Sequence, residues 1–465
     1  MTRSLCLQLG ALLVMCGCAS VPPPALQPLP DDVPAGWSFG GASDDGSPLQ
    51  NWWTRFDDPL LGALVVQALK ANTNITQAQG ALAQALALRD VAAAGLSPTL
   101  DASASVQRRV PGSGPASNAF AAGLQGGWSP DVFGQRGSAL AAADAAALAS
   151  GASLGEVQVS VAAELASAYI TLRATQVRQA IANASLASQQ DTLQIADWRQ
   201  QAGLVSMLDT EQALTALEQT RAQLPALQTR IEQSRHGIAV LTGAPPAALA
   251  AALSASAPVP LADAALAIGI PAATLRQRPD VRAAGWQVEA AAARVRQAAA
   301  ARLPSVSLSA TLGSSALTLG GLGNAASIAA SLLAGIALPV FDGGALRAQE
   351  RAQQAALEQA QSAFRAAVLV ALKDVEDTRI ALQGDRERLQ HLQRAGAAAD
   401  NAAQLARSRY ESGLVDFQSV LETQRTLLGA QDAVATAGAD AATDQVLLFK
   451  ALGGGWRAIE PHTTP

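Results

Sequence analysis

TNITQAQGALAQALALRDVAAAGLSPTLDASASV, from Thr73 to Val106, and PDVRAAGWQVEAAAARVRQAAAARLPSVSLSATL, from Pro279 to Leu312, share one plan: an Ala-rich helical stretch, a proline, then alternation. Aligning Pro98 with Pro304 gives an offset of 304 − 98 = 206. Phe133-Gly134 and Phe341-Asp342-Gly343 lie 341 − 133 = 208 apart, and Gly203-Leu204-Val205 and Gly413-Leu414-Val415 lie 413 − 203 = 210 apart. Three anchors at nearly one spacing imply a duplicated unit of roughly two hundred residues, too long for a solenoid repeat.

Punctuation around this core predicts the elements. Between Gly137 and Ala202 there is no proline, and Leu154, Val157, Val161, Leu165, Tyr169 and Leu172 recur at spacings of three and four, an amphipathic helical stripe. Sixty-odd helical residues reach on the order of 100 Å, more than a compact domain can hold. This helix breaks at Gly203, resumes near Asp209 and, with a kink expected at Pro225, runs to the Gly243-Ala244-Pro245-Pro246 turn. Its twin runs from about Ala345 to Ser412, breaks at Gly413 and continues to about Leu452. Each half thus holds one long helical hairpin, residues 135–243 and 343–452, tipped by Gly-Leu-Val.

Four segments alternate instead. Leu100, Ala102, Ala104 and Val106 interleave with Asp101, Ser103, Ser105 and Gln107, and Val306, Leu308, Ala310 and Leu312 with Ser305, Ser307, Ser309 and Thr311. Their partners, Phe120 to Trp128 and Ile328 to Val340, alternate less cleanly, with Leu124, Trp128, Ile328, Leu332, Ile336 and Leu338 on the apolar face. Strands are expected at about 98–110, 118–131, 302–315 and 326–340, joined by the turn-rich stretches 111–118 and 320–324. Nine to eleven residues suffice for a tilted strand to cross a bilayer, although an amphipathic soluble sheet has the same pattern. Four strands cannot close a barrel, and open edges in hydrocarbon leave backbone groups unpaired at several kcal/mol each, so the membrane reading requires oligomerisation. Two copies would give a barrel of eight strands filled by its own side chains. Three copies, 3 × 4 = 12 strands, suit the small lumen-facing serines better.

The N-terminus bears on destination. Arg3 precedes an apolar run, Leu5 to Met15, that is too short to span a bilayer, and 1–17 reads as a secretory signal peptide. Cys6 and Cys16 lie within it and Cys18 directly after it, so cleavage before Cys18 leaves one thiol and no internal disulfide. Either an ordinary signal peptide or lipidation of Cys18 fits. The Pro-rich segment that follows, within 18–50, reads as an extended tether. Two repeats come next, 51–260 and 261–456, and then a tail, 457–465.

Composition narrows the chemistry. Hydrophobic residues make up 49% and charged ones 15%, yet no apolar run after the signal segment is long enough for a membrane helix. A net charge of −5 argues against nucleic acid as partner. His236, His391 and His462 are scattered, so neither a metal site nor a cofactor is expected. The acidic pairs Asp31-Asp32, Asp44-Asp45 and Asp57-Asp58 read as turn and cap residues, and Gly320 to Gly323 joins strand to strand rather than cradling phosphate. No enzyme is expected.

LRQRPDVRAAGWQVEAAAARVRQAAAARLPSVSLSATLG, LPVFDGGALRA, SRYESGLVDFQSVLETQRTLL and NWWTRFDDPLLGALVVQAL resemble, in wording and order, the outer-membrane factor family, TolC/OprM-like and NodT-type efflux lipoproteins. The resemblance covers almost the whole chain. It implies an α plus transmembrane β fold: a homotrimer whose 12-stranded β-barrel, four strands per chain, continues into a long periplasmic α-helical barrel. It also implies Cys18 as the lipidated residue, outer-membrane lipid around the barrel, a periplasmic adaptor protein, and an inner-membrane transporter of the resistance-nodulation-division class. The chain would be a passive exit duct. Gly203, Leu204, Val205, Gly413, Leu414 and Val415 would then dock the adaptor or pack within the trimer, while Asp416, Arg409, Tyr410 and Asp209, with Arg199, Glu211 and Glu411 nearby, would hold the entrance shut. Asp416 has a second reading as a helix N-terminal acid stabilised by the dipole. Protein secretion or metal efflux would use the same duct, and a non-pore scaffold lipoprotein is the reading from another class.

Overall fold

The computed structural model describes residues 27–30, 33–38, 49–262 and 271–457. The signal segment, Cys18 and the end of the tail lie outside these residues.

A short 3-10 segment, Leu49–Phe56, leads into α1 (Pro59–Ala71). Asp58 caps α1, its carboxylate accepting from the amides of Leu60 and Leu61 at 2.9 and 3.0 Å, and Pro59 follows at the first helical position. Helix α2 (Thr73–Ala94), capped by Asn72, runs through the Leu96-Ser97-Pro98 turn into β1 (Thr99–Arg109), and β2 (Ser117–Trp128) returns. Then come α3 (Gln135–Gln201) and α4 (Met207–Leu241). The second repeat starts with a short α5 (Pro271–Gln277) and repeats the order: α6 (Pro279–Ala300), β3 (Ser305–Ala316), β4 (Ile328–Ala337), α7 (Ala345–Glu411), α8 (Phe417–Ala451).

Helices α3 and α7 are each 67 residues long, about 100 Å at 1.5 Å per residue, and each starts after a left-handed glycine, Gly134 or Gly344. Alanine lets them approach neighbours closely without losing helix propensity. Pro225, where a kink was expected, sits inside one continuous α4. The Thr229 hydroxyl donates to the Pro225 carbonyl at 2.9 Å, while the Arg221 carbonyl, four residues earlier, is the acceptor that loses its ladder donor.

The sheet is antiparallel throughout, in the order β1-β2-β3-β4. Side by side the helices run α2-α3-α6-α7, with α6 wedged between α3 and α7. The core lies at the waist, where the helices meet the 3-10 segment. Trp52 stacks on Phe449 at 5.1 Å between ring centres, and Tyr169, fully buried, donates to the Asp58 carboxylate at 2.7 Å while accepting from Arg173 at 2.8 Å. Burial, then the hydrogen bond to Asp58, pushes the Tyr169 phenol up to about 12.

The tether is not free of the body in its described part. Leu29 and Val33 pack against Leu275, Val281 and Phe364, and Trp37 is buried among Val375, Leu382 and Leu448. Apolar residues spaced through the proline run give it a surface to bury. At the other terminus, the Gly455 amide donates to the Leu49 carbonyl at 3.0 Å, and Trp456 lies against Gly155, where a Cβ would stand 2.3 Å from the indole.

Candidate functional site

Register converts the alternation into two faces. Leu100, Val106, Phe120, Leu124, Leu308, Leu312, Ile328, Leu332 and Ile336 share one face, because Val106 pairs with Phe120, Leu124 with Leu312, and Ala310 with Leu332. Leu332 is 73% exposed and Ile336 77%. The opposite face carries Asp101, Ser103, Ser105, Gln107, Ser307, Ser309 and Thr311, small or polar apart from Leu333. An apolar face this exposed belongs against hydrocarbon or a partner, not water. Among the described residues, strands β1 and β4 each have one edge without a partner.

The other end of the molecule is formed by the two hairpin tips. Gly203 and Gly413 adopt φ of +73° and +72°, the left-handed conformation that lets the amides of Leu204 and Leu414 reach back to the carbonyls of Arg199 and Arg409, both at 2.8 Å. Leu204 and Leu414 are the most exposed apolar residues of the tips, at 73% and 74%, while Val205 and Val415 are half-buried. Met207 and Leu208 are also exposed, at 67% and 65%. Helix α4 starts at Met207, two residues before the start expected near Asp209, so these two side chains stand on its first turn beside the tip.

The gate candidates occupy different environments. Tyr410 is buried against Phe417, 5.4 Å between ring centres, so it belongs to the packing inside the tip and not to its surface. Arg199 stacks on the Tyr410 ring at 4.2 Å and donates to the carbonyls of Tyr410 and Glu411 at 3.1 and 3.2 Å, capping the end of α7. Asp416 caps α8: the Ser419 hydroxyl, then its amide, hold the exposed carboxyl below the usual carboxylate range. Asp209 accepts from the Ser206 amide and hydroxyl, both at 2.9 Å, at the start of α4. Arg409 is exposed.

Above the tips, contacts invisible in the sequence join the repeats. Arg178 donates twice to Asp432, at 2.6 and 3.2 Å, and Gln424 bonds Thr192 at 2.9 Å. Between α7 and α8, Asp444 faces Asp385 and Asp440, with Arg388 within 3.6 Å of Asp385 and 3.2 Å of Asp440. Burial, then the Asp385 carboxylate, raises the Asp444 carboxyl to about 6. Among the described residues no cluster of His, Cys, Asp and Glu could hold a metal ion, and no helix is long and apolar enough to cross a membrane.

An exposed two-faced sheet joined to helical hairpins of about 100 Å defines a duct-forming protein of a membrane, whose wall is completed outside the single chain. The chain belongs to the outer membrane efflux protein family, whose model matches it in two blocks, residues 64–244 and 270–454, one for each repeat. It is 32% identical to the pyoverdine export outer membrane protein OpmQ of Pseudomonas putida, over 99% of both chains. To the solvent efflux pump outer membrane protein SrpC of Pseudomonas putida it is 31% identical, over 97% of this chain and 98% of that one. The solved outer-membrane channel OprN superposes with a TM-score of 0.86 at 35% identity, covering 94% of this chain and 99% of that one. The protein is therefore an outer-membrane channel of an efflux pump, without an enzymatic activity of its own.

Proposed function

We propose that three copies assemble into one conduit: a 12-stranded barrel in the outer membrane continuous with a helical barrel, through which small molecules leave by diffusion. The observation that carries this is the pair of open flanks. Among the described residues, strands β1 and β4 each lack a neighbour on one edge, as do the outer flank of α2 and the flank of α7 that carries Ile380, and the intrachain fit of α6 against α3 is a template for α2 of one copy against α7 of the next. Closing both layers by the same rotation removes every open strand edge from hydrocarbon.

On this reading the apolar tips, Gly203-Leu204-Val205 and Gly413-Leu414-Val415, extended by Met207 and Leu208, meet a periplasmic adaptor that links the conduit to an inner-membrane transporter of the resistance-nodulation-division class. Asp416, Arg409 and Asp209, with Tyr410 acting through Arg199, set the closed entrance. Cys18 carries the lipid anchor. Small organic cargo is favoured by the relatives, which are named for pyoverdine export and solvent efflux. Native mass measurement of detergent-extracted protein, with conductance in planar bilayers, tests the proposal: trimers that pass ions are expected, and a non-conducting monomer would overturn it. Leu414→Asp is expected to abolish pump-dependent resistance while trimer levels stay normal.

A further inference from the structure

The sheet and its hairpin loops are almost empty of charge, and the few charges are sorted by position. From residue 99 to 130 the sequence holds Asp101, Arg108 and Arg109, and from 303 to 341 it holds none. Alternation along β1 puts Asp101 and Arg109 on the polar face and sends Arg108 to the apolar one. Asp101 lies at the end of the strand next to the helices. Arg109 lies at the far end, opposite Ser117, eight residues or roughly 26 Å away. Both are exposed, and no acidic residue stands in either hairpin near Arg109. A chain with a net charge of −5 thus ends, at its distal rim, in cations alone.

The geometry points to Arg109 as the charge-selecting residue of the conduit's outer mouth: a collar of three guanidinium groups that favours anionic small molecules over cations at the exit, opposed by an Asp101 ring at the base of the barrel. This rests on the trimeric conduit proposed above. Neighbouring copies of Arg109 are separated by four strands at about 4.8 Å each, roughly 19 Å along the wall. The screening length is ~30 Å at 0.01 M salt and ~3 Å at 1 M. At low salt the three fields therefore merge across the mouth. At 1 M each Arg109 acts alone, and selection fades. Low-dielectric walls on all sides focus the field at low salt further.

The test measures reversal potentials of the purified trimer in planar bilayers under a tenfold KCl gradient, with wild type, Arg109→Gln, Arg109→Glu and Asp101→Asn compared at low and high salt. In dilute salt, Arg109→Glu is expected to raise the cation-to-anion permeability ratio by roughly twofold or more, Arg109→Gln by less, and Asp101→Asn to lower it, the differences vanishing at 1 M. A second reading does not depend on the entrance. With Ser105→Cys as a probe on the same face, the rate of modification by an anionic thiosulfonate relative to a cationic one, both added from the distal side, should fall severalfold when Arg109→Glu is introduced. Permeability and rate ratios that ignore Arg109 would overturn the collar while leaving the conduit intact. Wild-type protein that passes no current at all would overturn the conduit itself.

Discussion

Helices α3 and α7 are repeats of one another, equal in length and offset by 210 residues, yet 27 residues of α3 are buried against eight of α7. Ile170 and Ile380 occupy equivalent positions, 380 − 170 = 210, and are 0% and 63% exposed. One helix is surrounded by its own chain. The other keeps an apolar flank, with Leu369, Val370 and Leu405 also exposed, that the described residues leave uncovered. Duplication made two similar wall segments, and only one junction between them could be satisfied within a chain. With the proposed trimer, the difference teaches that burial here reports position in the ring, not the quality of the sequence.

The contrast can be broken most forcefully at that isoleucine pair. Ile170→Ala should cost about 2–5 kcal/mol of protomer stability, whereas Ile380→Ala should leave protomer unfolding within ~0.5 kcal/mol of wild type and weaken association. Denaturant melts and native mass measurements on both variants check this, and equal losses in protomer stability would erase the distinction. Next comes Gly155, against which Trp456 packs. Gly155→Ala drives a methyl group into the indole and should cost about 1–3 kcal/mol by overpacking, read in the same denaturant melts.

The tips sharpen the comparison. Asp416→Ala removes the cap of α8 and should loosen its first turn, read as faster hydrogen exchange there. Arg199 and Arg409 are repeat equivalents, but only Arg199 has Tyr410 and the α7 carbonyls to hold. Arg199→Ala should therefore loosen the tip of an isolated protomer by roughly 0.5–1 kcal/mol, and Arg409→Ala should alter only the assembled entrance, read as conductance. The smallest effect is pH-dependent. Asp444, whose repeat equivalent is Ser234, has a folded-state value raised to about 6, so the folded protein binds this proton more tightly than the unfolded chain does. Its contribution is favourable at low pH and is lost as pH rises from about 4 through 6. Asp444→Asn should flatten that window and stabilise the protein at pH 7, as thermal melts at pH 5 and pH 7 would reveal.

Much of this architecture is legible in the residues because it is written in local periodicity. Prolines and glycines mark where hairpins turn, stripes at three and four mark helices, and strict alternation in β1 and β3 fixes two faces that the register then extends to the less regular β2 and β4. Gly203 and Gly413 announce the tips because a tight reversal needs positive φ. What escapes is decided by partners distant in the chain. Tyr410 sits in the sequence beside charged neighbours, and only the fold carries it under Arg199, 211 residues away. The Asp385 and Asp444 pair meets because the hairpin of α7 and α8 sets opposite each other residues at similar distances from its tip, in a register that helix packing decides. Nor can the sequence tell α3 from α7 in burial, since each is amphipathic and the covering surface of one lies in the same chain.

The contact between Trp52 and Phe449 joins the first structured turn of the body to its last helix, across nearly the whole polypeptide. A belt fastened between the two ends cannot be buckled while synthesis is under way. The middle must stay unsealed until the final residues emerge, so folding of the waist is slow and belongs to the completed chain.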